Sequence, residues 1–125
     1  LLPTDEAKAT TKGKIDNFAA AYGTILFFED HNVVKGLQEQ FPSYADNFPL
    51  WSEQSTGIAS FAVWNALAEA GVGANIQHYN PLIDEKVANE WNIPSNLVLR
   101  AQMPFGEIVG AAAPIERKAR VRVVK

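Results

Sequence analysis

Cysteine is absent from the 125 residues, which excludes disulfides, thiolate zinc centres, iron–sulfur ligation and thiol nucleophiles. Histidine is scarce, and the two copies, His31 and His78, stand far apart. With no His-Glu-x-x-His or calcium-loop spacing and with scattered acids, a metal site has no support. An excess of positive charge is missing too. Eleven Lys and Arg against 14 Asp and Glu leave a net charge of −3, and a chain without a basic face does not neutralise phosphates as a nucleic-acid binder must. No apolar run nears the roughly 20 residues that span a bilayer. No Gly-x-Ser-x-Gly elbow occurs, and Ser55 and Ser60 fall within a helical pattern. Gly71-Val72-Gly73 lacks a third glycine and follows a helix instead of opening one, so a dinucleotide fingerprint fails. Leu1-Leu2-Pro3-Thr4 opens the chain without a secretory pattern.

What is present is an ordinary globular composition, 47% hydrophobic and 20% charged, which argues against disorder. The length suits one domain over residues 1–125, able to bury about two-thirds of its unfolded surface. Residues 4–20 are polar and Ala-rich and read as a helix weakened at Gly13. Tyr22–Phe28 is a β-branched and aromatic run, a buried strand that Glu29-Asp30 ends. Asp30 is placed to cap a helix from about His31 to Phe41, with Val33, Val34, Leu37 and Phe41 on one face. Pro42 stops that helix, and Ser43–Pro49 prepares another start. From about Leu50 to Ala70 runs the strongest element, apolar around most of its circumference and charged only near its ends, at Glu53 and Glu69. Such a helix is either buried on several sides or set at a subunit interface. Gly71 and Gly73 supply left-handed positions at its end.

Ala74–Tyr79 reads as a short strand or extended loop closed by Asn80-Pro81. Asp84 is expected to cap a helix, Glu85 to Trp91, that Asn92-Ile93-Pro94 terminates. Leu97, Leu99, Ala101 and Met103 alternate with Val98, Arg100 and Gln102 as a strand requires. Arg120-Val121-Arg122-Val123 also alternates, with both arginines on one side of an extended chain. Strands separated by unequal helical stretches give an α+β layer with an antiparallel or mixed sheet.

Chemistry has few places to sit. His31 opens a helix, as a solvated turn residue or an acid–base group. His78 lies in Gln77-His78-Tyr79-Asn80, a polar cluster just after the apolar helix, and is either a hydrogen-bonded structural residue or part of a site. Arg117, Lys118, Arg120, Arg122 and Lys125 place five of the eleven basic residues in the last nine positions. Paired arginines there could grip a phosphate, and the plain alternative is a charged tail that protects a sheet edge. Phe41, Tyr44, Phe48 and Trp51 are either core or a cover for a flat ligand.

Four segments carry a resemblance. Tyr22–Asp30, Phe48–Ser55, Asn65–Pro81 and Met103–Gly106 (Met-Pro-Phe-Gly) are similar, in order, to the nitroreductase superfamily, in the branch of the fungal "fatty acid repression mutant" proteins and their bacterial relatives. The resemblance covers about Lys14 to Glu107. It implies an α+β nitroreductase-like fold, an antiparallel or mixed sheet flanked by helices with a long buried central helix, and an intertwined homodimer. It further implies an FMN cofactor, hydride from NADH or NADPH, and transfer to a nitroaromatic or quinone acceptor in alternating half-reactions. The cofactor would carry the redox step, so no catalytic side chain is expected. Gln77, His78 and Tyr79 match the family segment beside the flavin ring, where a backbone N–H faces the N5/O4 edge. Arg120 and Arg122 match the paired cations that hold the FMN phosphate, and Phe41–Trp51 matches the helical part that reaches over the partner's flavin. The family's Arg-Arg-Ser-type phosphate motif and its later Asn/Gln-bearing helix have no counterpart. The resemblance therefore implies the C-terminal part of the family domain, with a truncated, non-catalytic module for dimerisation or small-ligand binding as the alternative. A cytoplasmic location is the expectation, with no membrane and no nucleic acid among its partners.

Overall fold

The fold is described from a computed structural model covering residues 4–111, 113–116, 121, 122 and 124. Helix α1 (Asp5–Ala19) starts at Thr4, whose Oγ1 accepts from the Ala7 N–H at 3.1 Å, satisfying one of the donors a helix start leaves free. It leads into strand β1 (Gly23–Asp30) and helix α2 (His31–Gln40). A single 3-10 turn, Pro42–Tyr44, precedes helix α3 (Phe48–Glu69), which has Pro49 in its first turn, where a missing N–H costs nothing. Strand β2 (Gly73–Ala74), helix α4 (Asp84–Trp91) and strand β3 (Leu97–Gly106) follow.

The sheet is antiparallel, in the order β1-β3-β2. β3 is therefore the central strand, and Ala101, Gln102, Met103 and Pro104 are buried in succession. The strict in–out alternation expected from the sequence gives way there, because a strand covered on both faces has no solvent side. Pairing with β1 shifts register between Phe27 (opposite Ala101) and Phe28 (opposite Leu99), leaving Arg100 as the extra residue of a bulge. β1 itself continues through Glu29 and Asp30, both still paired to β3, so the acidic pair does not end the strand as expected.

Most local expectations have a direct physical counterpart. Asp30 caps α2, its Oδ1 accepting from the Asn32 N–H at 2.9 Å. Val34 is the buried residue of that helix, whereas Val33 is exposed. α3 ends in paired backbone bonds, Val72 N–H to Leu67 O (2.9 Å) and Gly71 N–H to Ala68 O (3.0 Å), with Gly71 at φ +73°. That closure needs a left-handed residue, which glycine supplies without strain. Gly73 is different: it lies in β2, not in a left-handed turn, and a Cβ there would stand 3.1 Å from Ile108 Cγ1, a tight contact that the Ile108 side chain would have to relieve. Asp84 does not cap α4. It is the first helical residue, and Ile83 at the cap position makes no side-chain bond. Asn92, at φ 50°, closes that helix.

The long helix is not buried within one chain. Ser60 alone among its described residues is buried; Ile58 is 71% and Phe61 63% exposed. An apolar pattern reports that a helix wants cover, not which chain supplies it. No described helix is long and apolar enough to cross a membrane.

Candidate functional site

The loop after β2 returns to the central strand and is fastened to it. Gln77 forms a bridge with Gln102, with N–H to O at 2.7 Å one way and 2.9 Å the other. The Tyr79 N–H donates to Gln102 Oε1 at 2.9 Å. His78 Nδ1 lies 3.1 Å from the Arg100 carbonyl; a carbonyl only accepts, so Nδ1 carries the hydrogen of that contact. The Gln77 and Tyr79 N–H groups are thus spent on β3. For His78 N–H no partner is found among the described residues, as the alternation of an extended segment requires.

Beside this segment lies a cavity of about 410 Å³, within the range of small-molecule sites. Ile15 and Phe18 of α1, Leu82, Ile83 and Pro104 give it apolar walls, and Thr24, Gln77, Tyr79 and Gln102 give it a polar edge. α1 buries no residue fully; its Ile15 and Phe18 line this cavity, while Lys8 pairs with Asp5 and Lys12 with Asp16 in solvent.

A second polar centre lies on the neighbouring bulge. Glu29, with its side chain 3% exposed, receives two bonds from Arg100, one from Nε at 2.9 Å and one from the terminal Nη2. His31 Nε2 is 3.0 Å from the same carboxylate, and Arg100 also reaches Glu53 of α3 at 2.7 Å. Burial pushes the Glu29 carboxyl up, but bonds from Ser52 and Arg100, the Arg100 charge and the His31 contact outweigh it and hold the group below its usual value.

Of the residues singled out in the sequence, Gln77 and Tyr79 line the cavity, while His78 binds the Arg100 carbonyl outside its lining. Arg122 is exposed and in no regular element, and Arg120 lies outside the described residues, as do Arg117, Lys118 and Lys125. His31 is not a free helix-start residue but a partner of Glu29. The aromatic group is a surface cluster rather than a core. Phe48 meets Trp51 edge-on at 5.4 Å, Phe41 lies 6.3 Å from Phe48, and Phe41, Tyr44 and Trp51 are exposed. Gln102 escaped the sequence reading, although an amide between Ala101 and Met103 in an apolar strand is a signal that it has a partner.

An α+β layer with a small antiparallel sheet carries this largely apolar cavity, and comparison with known proteins says which family has that frame. The family model for the nitroreductase family matches residues 3–107; the chain belongs to that family. It is similar to nitroreductase FRM2 of Saccharomyces cerevisiae, with 36% identity over 116 residues, covering 93% of this chain and 56% of that protein. Nitroreductase CinD from Lactococcus lactis, solved in complex with chloramphenicol, superposes with a TM-score of 0.87 at 58% identity, over 94% of this chain and 64% of that one. The CinD structure with 4-nitrophenol gives 0.86, also at 58% identity, over 96% and 65%. The chain spans about half the length of the curated relatives it matches.

Proposed function

We propose that this chain supplies the ring-facing part of an FMN-dependent oxidoreductase that takes electrons from NADH or NADPH and passes them to nitroaromatic or quinone acceptors in alternating half-reactions. The observation that carries this reading is the cavity beside Gln77–Tyr79. Its volume and mostly apolar lining suit an aromatic ring system, and Thr24, Gln77, Tyr79 and Gln102 bring polar groups for ring heteroatoms. The residues present therefore fit the ring end of the cofactor. No cation is among the residues lining this cavity, so the phosphate end falls to Arg120 and Arg122, which the sequence resemblance assigns to it.

The flavin, when bound, supplies the two-electron chemistry. The chain's own residues orient the ring. Ile15, Phe18 and Leu82 offer the ring an apolar wall, Gln77 and Tyr79 the polar part of the lining, and the His78 N–H, without a partner among the described residues, is the donor that the sequence resemblance assigns to the flavin. Complexes of CinD with chloramphenicol and 4-nitrophenol support nitroaromatics as the acceptor class here. The exposed apolar face of α3 supports work as a homodimer.

Titration with FMN and with riboflavin, followed by quenching of flavin fluorescence, tests the reading. Saturable binding of both is expected, and NAD(P)H oxidation should then depend on an added nitroaromatic. Replacing Arg120 and Arg122 together by Ala should weaken FMN by roughly tenfold or more while leaving riboflavin unchanged, since two charge-assisted contacts are lost only with the phosphate. Absence of saturable flavin binding would remove the oxidoreductase reading and leave the non-catalytic dimerisation module.

A further inference from the structure

The geometry points to Gln102 as a positioning residue of the flavin slot: its side chain, held in the central strand, sets the backbone of Gln77–Asn80 against the cavity wall. This inference rests on the flavin reading above, and its test separates the two.

Gln102 is 5% exposed and every polar atom it carries has a partner in the loop. Its backbone N–H and carbonyl bridge Gln77, its Oε1 accepts from Tyr79 N–H at 2.9 Å, and its Nε2 donates to Asn80 Oδ1 at 3.0 Å. Asn80 Nδ2 in turn donates to the Leu99 carbonyl at 2.9 Å and to Asp84 Oδ1 at 2.6 Å. The direction of this relay is fixed at both ends by main chain. Tyr79 N–H only donates and Leu99 C=O only accepts, so each amide between them has one workable orientation. Gln102 also lines the cavity itself. A single side chain thus turns the Tyr79 N–H inward to β3 and holds the next residue, Asn80, whose own amide reaches Asp84 at the start of α4.

Two substitutions dissect the relay. Gln102→Leu removes both legs, leaving Tyr79 N–H and Asn80 Oδ1 unpaired. Gln102→Glu keeps an acceptor for Tyr79 but sets a second carboxylate oxygen against Asn80 Oδ1. Turning Asn80 to relieve that contact would bring its own oxygen against Leu99 O and Asp84. On the purified full chain, amide hydrogen exchange is read at Tyr79 and along β1 and β3 without flavin, and riboflavin affinity by fluorescence quenching.

The Leu variant should exchange Tyr79 about tenfold or more faster and bind riboflavin about tenfold or more weaker, with β1 and β3 still protected, as loss of a buried acceptor implies. The Glu variant should keep Tyr79 protected and bind riboflavin with intermediate affinity. Faster Tyr79 exchange with unchanged riboflavin affinity overturns the inference, because a merely structural clamp behaves that way. So does unchanged exchange in the Leu variant, or loss of β-strand protection in both variants, which would make Gln102 a residue of the fold alone. If the wild-type chain binds no riboflavin, the proposed function and the slot assignment fail together. Tyr79 exchange in the two variants then reports separately whether Gln102 holds the segment.

Discussion

Glu29 shows how far one buried carboxylate can be carried by its neighbours. Burial disfavours its charge, yet Ser52, Arg100 and His31 converge on it and hold the carboxyl below its ordinary 4.5. Because the folded group binds its proton less readily than the unfolded one, its contribution to stability is complete above about pH 4.5 and fades as pH falls through the lower folded value. Glu29→Gln should therefore cost about 1–3 kcal/mol at pH 7. The larger penalty of an orphaned buried charge does not apply, since Arg100 is 30% exposed and keeps Glu53 at 2.7 Å. Urea unfolding at pH 7 and again below pH 4.5 checks this: the gap between variant and wild type should narrow in acid.

At the scale of elements, the join between β1 and α2 rests on Asp30. One carboxylate oxygen accepts from the Asn32 N–H at 2.9 Å and from Asn96 Nδ2 at 2.8 Å, so the helix start is also tied to the loop before β3. The Asn96 and Asn32 bonds, in that order, lower the Asp30 pKa, and this support too is lost in acid. Asp30→Ala removes both bonds and should lower the melting temperature; Asp30→Asn keeps an acceptor and should lower it less. Equal losses would show that charge, not the bonds, does the capping. The cap, the glycine-closed end of α3 and the αL stop at Asn92 were all readable as short-range patterns, because each is settled by residues within a few positions. Asp84 misled although its surroundings are just as local: a good capping type was present, but it stands one position inside the helix, and its carboxylate accepts from Asn80, four positions earlier, instead.

For the molecule as a whole, α3 leaves the largest question of cover. Ile58 and Phe61 stand three positions apart on one helix face, both more than half exposed, and each would gain about 1.5–3 kcal/mol by burial. The homodimer proposed above predicts a solution mass near twice the chain's 13.7 kDa, measured by sedimentation or light scattering. Ile58→Asp combined with Phe61→Asp should return the single-chain mass, because an unpaired carboxylate in an apolar contact is costly. A wild-type chain that stays at single-chain mass at high concentration would refute the dimer.

By itself the sequence determined most of the helices and strands and their order, and through its motif series the family, since capping, helical periodicity and β-branched runs act between near neighbours. It also marked Gln77–Tyr79, a polar island in an apolar stretch. Only the tertiary structure decided that β3 is central, that Arg100 bulges to meet Glu29 across 71 positions, and that Gln102 holds Tyr79 across 23. Those pairings depend on strand register. Register comes from the sum of contacts along two distant segments, and no single stretch of chain contains that sum.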